Sequence, residues 1–182
     1  MALKSTIFKA VLQIADMDRN YYGEHVLTLA RHPSETDERM MVRLLAFALH
    51  ADAALSFGRG LSADDEADLW HKDLTGAIET WIDVGLPDEK LVRKACGRAR
   101  RVFVYSYGGR AADLWWQQAS DKFERLSNLS VLRLPAAAGQ DLAKISSRNM
   151  QIQCTIQDEH IWFSGQDLGV ELALEKLKTA DF

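Results

Sequence analysis

Residues 72–95 read KDLTGAIETWIDVGLPDEKLVRKA, and they hold the side chains best suited to chemistry. Alternation predicts a strand over 76–85, with Ile78, Thr80, Ile82 and Val84 on one face and Glu79, Trp81, Asp83 and Gly85 on the other. Asp83 is then a carboxylate near a strand end with an aromatic neighbour, and Asp73 lies just before the strand. Two such carboxylates can serve a hard cation, Mg²⁺ or Mn²⁺, which needs one or two of them and completes its shell with water and substrate phosphate. A cation so held polarises a phosphate ester and makes an attacking water more acidic. A neighbouring lysine steadies the charge that develops. A plainer reading competes with this one: Asp73 caps a turn, Asp83 pairs with an arginine, and the lysines of the following segment are simply solvated.

That following segment carries Lys90, Arg93, Lys94, Arg98, Arg100 and Arg101. The whole chain has a net charge of −4, so it offers nucleic acid no broad attraction, and phosphate binding must come from such a local patch. A charged helix face is also a common way of meeting water. Just beyond it, Tyr105, Tyr107, Arg110, Trp115 and Trp116 interleave aromatic rings with a cation, a composition able to stack bases. Trp115 and Trp116 point about 100° apart on a helix, so at least one of them belongs to the core.

Other chemistries are excluded or weakly supported. His25, His32, His50, His71 and His160 show no metal-ligand spacing, and Cys96 and Cys154 form neither a zinc motif nor a disulfide framework. No nucleophile elbow occurs. The string GRGLSA at 58–63 imitates a dinucleotide fingerprint without the strand and helix that give one meaning, and it reads as a turn. The N-terminal segment is broken by Lys4, Lys9 and Gln13, and no run reaches the roughly 18 apolar residues of a spanning helix. The expectation is a cytoplasmic protein with reduced thiols and no membrane partner.

The elements that must position these residues follow from periodicity. Phe8, Ala10, Leu12 and Ile14 mark a strand over 6–16, and HVLTLARHP is its return strand. Ser34 with Asp37 predicts a capped helix, with Met41, Leu44, Leu45, Ala48 and Leu55 along its apolar stripe. FGRGLSADDEADLW reads as a loop. After the strand at 76–85 come a helix over 88–100 with Leu91, Val92, Ala95 and Ala99 inward, the strand RVFVYSY, and a helix from Gly108. NLSVLRLP is a strand and AAAGQDLAKISS a short helix. MQIQCTIQDEHIWFS is a pair of strands about Asp158–Glu159, and GVELALEKL closes the chain. The order ββαβαβαβαβββ predicts an α/β or α+β domain over residues 1–182, helices packed on a mixed sheet.

MALKSTIFKA, LARHPSETDERMMVRLLAFALHA, RGLSADDEADLW, WIDVGLPDE and TIQDEHIWFS together resemble the YaeQ family of bacterial proteins over nearly the whole chain. That family is similar in fold to the PD-(D/E)XK restriction-endonuclease-like proteins. The resemblance implies a metal-dependent nuclease site in which Asp73 matches the first acid and Asp83-Val84-Gly85 the second segment. Glycine stands at 85 where the motif has lysine, and some members of that superfamily move the lysine to the adjacent helix. Lys94 fits that role, with Lys90 next. A glutamate on the first helix often helps hold the metal, and Glu38 matches it, unless it pairs with Arg43. Lys90, Arg93, Arg98 and Arg110 are then the candidate nucleic-acid contacts. With Gly85 in place of lysine, the alternative is a catalytically inactive module of this fold that binds nucleic acid or a protein partner.

Overall fold

The structure, a computed structural model, describes residues 4–60 and 65–181. In chain order it runs β1 (Thr6–Asp16), β2 (Tyr21–Arg31), α1 (Asp37–His50), β3 (Leu55–Phe57), β4 (Leu69–Lys72) and β5 (Ile78–Val84). Then follow α2 (Glu89–Arg98), β6 (Ala99–Ser106), α3 (Arg110–Phe123), β7 (Leu129–Arg133) and α4 (Ala138–Ile145). β8 (Asn149–Gln157), β9 (His160–Ser164), β10 (Gly169–Ala173) and β11 (Glu175–Lys178) complete the chain. Two mixed sheets result, ordered β10-β9-β8-β1-β2 and β11-β7-β6-β5-β4-β3. The expected α/β class with helices on mixed β-structure is what forms, divided between two sheets.

The central helix is α1. Every residue from Met40 to Ala48 is buried, including Arg43. A helix apolar on nearly all sides must have structure on nearly all sides, and here Leu12 and Ile14 of β1, Ile82 and Val84 of β5, and Leu142 of α4 share one core with it. The opposite face of the second sheet packs Trp81, Val102, Val104 and Val131 against Val92 and Ala95 of α2 and Phe123 of α3. β5, β6 and β7 are mutually parallel and covered on both faces, as parallel strands require.

The expected boundaries shift in four places. Ser34 does not cap α1, because its hydroxyl and amide both engage His32 Nδ1. Thr36 caps instead, its hydroxyl accepting from Arg39 N–H at 3.1 Å. Leu55 leaves the helix for β3, and Ala99 leaves α2 for β6 without an intervening loop. The stretch read as a loop over 57–70 contains the end of β3 and the start of β4, three- and four-residue strands too short to show a period. The turn expected at 58–63 falls partly outside the described residues, at 61–63. β11 is also additional: the closing segment divides into β10 and β11, which join different sheets. Among the described residues, no helix is long and apolar enough to cross a membrane.

Candidate metal and substrate site

The hairpin β4–β5 sets the site. Its register pairs Leu69 with Ile82, Trp70 with Trp81 and His71 with Thr80. One further step along that register brings Asp68 opposite Asp83. The two residues are tied together: Asp83 Oδ1 accepts from Asp68 N–H at 3.2 Å, and Asp68 Oδ2 accepts from Val84 N–H at 2.8 Å. Indole Nε1–H of Trp81 donates to Asp83 Oδ2 at 2.9 Å. Arg39, in the first turn of α1, donates to Asp68 Oδ1 at 2.7 Å and to Glu35 Oε2 at 2.5 Å.

Asp73 lies elsewhere. It sits in the turn that joins β4 to β5, where its Oδ1 accepts from the amides of Thr75 and Ala77 and from the Thr75 hydroxyl. The Thr75 hydroxyl and then these amides hold its carboxyl below the usual range. From Ile78 to Asp83 the strand climbs about 16 Å at roughly 3.3 Å per residue. Asp73 and Asp83 therefore occupy opposite ends of β5, and Asp68 is the carboxylate that joins Asp83.

Lys94 lines the same cleft as the pair. A cleft of about 340 Å³ is lined by Arg39, Asp68, Asp83, Gly85, Lys94 and Tyr107, among others. Asp83 points to the α2 side of β5, together with Trp81, as the alternation requires. Leu91 and Lys94 lie one turn apart on the helix face that closes the cleft. Leu91 is thus not turned into the core but stands 38% exposed on the cleft wall. Gly85 has a backbone reason to be glycine: its φ of +99° lies where side chains are strained. That backbone conformation disfavours a lysine at position 85.

The other expected residues divide. Glu38 is not in the cleft: it lies against α4, where a Cβ on Gly139 would come within 2.3 Å of Glu38 Oε1. Burial raises its carboxyl. It does not pair with Arg43, whose guanidinium is held by Glu35 at 2.6 and 3.0 Å. Lys90 and Arg93 are exposed along α2, with Arg93 paired to Glu89. Arg98 donates to the Asp65 carbonyl and lies 5.1 Å from the Trp81 ring centre. Arg110 is the exposed first residue of α3. None of these four lines the cleft, although all belong to elements packed beside it.

The electrostatics of the pair are those of a crowded site. Burial, then the neighbouring Asp68 charge, push Asp83 up to about 6. Burial alone would lower Arg39, but the Asp68 and Glu35 carboxylates raise it overall. Each carboxylate oxygen of Asp68 and Asp83 has one donor and keeps lone-pair capacity for another. That hard-oxygen set suits Mg²⁺ or Mn²⁺. Among the described residues no three His, Cys, Asp or Glu converge. A cation here would lean on two carboxylates and retain water, the usual manner for magnesium.

A raised carboxyl is a stability statement. The folded state holds a proton on Asp83 that the unfolded chain releases, so its contribution is fully present below the ordinary 3.8 and is lost as pH rises through about 6. At pH 7.5 the ionised Asp83 therefore opposes folding. Asp83→Asn removes the charge but loses one acceptor, and the net expectation is a gain of roughly 1 kcal/mol at pH 7.5. Urea denaturation at pH 4.5 and 7.5 checks it: the gain appears at the higher pH and shrinks at the lower.

Sequence reasoning missed Asp68, Arg39 and Glu35. The turn at Asp73–Gly76 alone would pair positions whose numbers sum to 149; an irregularity between His71 and Lys72 shifts the register to a sum of 151 and so brings 68 opposite 83, and no residue in the chain announces that shift. Nothing local marks Arg39 or Glu35.

Comparison with known proteins agrees along the chain. The family model described as YaeQ protein matches residues 1–174. The uncharacterized protein YaeQ of Escherichia coli (strain K12) is 49% identical over 177 residues, with 96% of each chain covered. That of Salmonella typhi is 48% identical over 174 residues, with the same coverage. The crystal structure of YaeQ protein from Xanthomonas axonopodis pv. citri matches with a TM-score of 0.94 and 49% identity, over 97% of this chain and 99% of that one. The structure from Pseudomonas syringae gives a TM-score of 0.92 at 34% identity, over 96% and 97%.

Proposed function

This chain belongs to the YaeQ family, and from that premise we propose that it is a Mg²⁺- or Mn²⁺-dependent phosphodiesterase acting on nucleic acid, with a restriction-endonuclease-like architecture. The observation that carries the reading is the Asp68–Asp83 pair facing Lys94 across one cleft. When bound, the cation would supply Lewis-acid polarisation of the phosphate and a more acidic attacking water. Asp68 and Asp83 would hold it. Trp81 and the Asp68 amide fix the Asp83 carboxylate from two sides. Lys94 places an ammonium where negative charge grows on the phosphoryl oxygens. Lys90, Arg93 and Arg110 lie outside the cleft and bind flanking phosphates, a contribution that weakens with salt. The same reading places the protein in the bacterial cytoplasm, where its unpaired Cys96 and Cys154 stay reduced.

One observation favours a second reading. The Arg39 guanidinium already sits on Asp68 Oδ1, where it takes part of the role of a cation. A module so neutralised binds nucleic acid or a protein partner without cutting. A single experiment separates the two. Purified protein is incubated with labelled single- and double-stranded DNA and RNA in Mg²⁺, Mn²⁺ or chelator, beside Asp83→Ala. Metal-dependent cutting that disappears in the variant supports hydrolysis. Cutting that survives in the variant, or no cutting of any substrate, overturns it.

A further inference from the structure

Leu86 at 37% and Leu91 at 38% are large apolar side chains left exposed, and both stand on the cleft beside the acid pair. Phosphate chemistry has no use for leucine. The loop that carries Leu86 is also stiff. Gly85 bends it at φ +99°, Asp88 caps α2 by accepting from Lys90 N–H at 2.8 Å, and Trp115 Nε1–H donates to the Pro87 carbonyl at 2.9 Å. Tyr107 also lines the cleft, and burial pushes its phenol up to about 12. The cleft therefore joins a charged floor to an apolar, pre-organised wall. Its volume of about 340 Å³ lies at the small end of ligand pockets, enough for a nucleoside-sized group and far too little to enclose a duplex.

We infer that the cleft takes an unpaired nucleotide, its phosphate beside Asp68, Asp83 and Lys94 and its base on the shelf of Leu86 and Leu91. This deepens the hydrolytic reading and rests on its assignment of the acid pair. In a duplex the base faces are already stacked and paired, and the shelf would meet only sugar and phosphate. An unpaired base has both apolar faces free, and since every base has such a face, apolar contact with it does not select a sequence. The substrate class is therefore single strands, or the frayed and unpaired ends of duplexes.

Affinity tests this without needing catalysis. Fluorescence anisotropy compares a short labelled phosphorothioate single strand with a blunt hairpin of the same composition, both in Mn²⁺. The single strand is expected to bind roughly tenfold tighter, and Leu86→Ser and Leu91→Ser each to weaken it by roughly fivefold, the scale of the apolar area a base would cover on one partly exposed leucine. Mn²⁺ affinity stays unchanged in both variants. Equal affinity for the hairpin, or leucine variants that bind the single strand as the wild type does, would overturn the shelf. The two readings fail separately. Hydrolysis without single-strand preference removes the shelf alone, and single-strand binding lost in the leucine variants without any hydrolysis removes the catalytic reading alone.

Discussion

Lys94→Ala is expected to lower metal-dependent cleavage by roughly 10²–10³-fold, the usual cost of losing one group aimed at developing charge. The reasoning runs from the backbone outward. β5 ends in a bend at Gly85 whose φ of +99° leaves no unstrained place for a lysine. α2 then starts at once, capped by Asp88, and its first turns carry Leu91, Lys94 and Ala95 past the mouth of the acid pair. Lys94 is exposed and holds up no part of the core, so its removal leaves the fold intact, as circular dichroism and urea midpoints verify. Initial rates on a labelled single strand in Mg²⁺ provide the measurement. Lys94→Arg keeps the charge and is expected to retain part of the rate, although a planar guanidinium fits the position differently. An unchanged rate in Lys94→Ala would remove the lysine from the chemistry.

Glu35→Ala is expected to destabilise the protein by about 3–5 kcal/mol, the range for stripping one partner from a buried ion network. Glu35 is buried, and it is held by two arginines of α1. Its Oε1 accepts from Arg43 Nη2 at 2.6 Å, and its Oε2 accepts from Arg43 Nε at 3.0 Å and Arg39 Nη1 at 2.5 Å. Arg43 is among the largest fully buried side chains; besides Glu35 it donates to the Ala30 carbonyl at 3.2 Å, and its guanidinium lies 5.6 Å from the Phe57 ring centre. Without the carboxylate, a guanidinium is left in the core with most of its donors unmet, which is far costlier than losing a surface pair. The same change releases one side of Arg39, which also holds Asp68, so metal affinity is expected to shift along with stability. Glu35→Gln keeps the shape and some acceptors and costs less. Urea unfolding followed by tryptophan fluorescence reads both variants. A loss below about 1 kcal/mol for alanine would show that water or a rearranged partner satisfies Arg43.

Much of this fold is legible in the chain, and the reasons are local. β1 alternates without interruption, and Phe8, Ala10, Leu12 and Ile14 are all buried. The two faces of β5 are placed by alternation alone, which puts Asp83 on the face of Trp81; that this face meets α2 is decided by packing. The site is less legible because it depends on pairing. Asp73 is near Asp83 in sequence and far from it along the strand, while Asp68 is farther in sequence and directly across the hairpin. Glu38 and Arg39 are adjacent in α1, yet a helix turns them about 100° apart. One then meets α4 at Gly139 and the other meets Asp68. Which of the two faces the cleft is decided by how α1 packs, and no residue near them announces it. The short strands β3 and β4 were hidden for a related reason: three or four residues cannot display a period, and their pairing partner supplies the structure.

The central claim is that Asp68 and Asp83 together hold a divalent cation, and Mn²⁺ titration calorimetry tests it most directly. The proteins are the wild type, Asp68→Asn, Asp83→Asn and Asp73→Asn, measured at several pH values between 5 and 7.5. The expected result is one Mn²⁺ site in the wild type and in Asp73→Asn, lost in Asp68→Asn and Asp83→Asn. Affinity should fall as pH drops through about 6, where Asp83 takes up its proton. Undiminished Mn²⁺ binding in Asp83→Asn, or binding abolished by Asp73→Asn alone, would contradict the account.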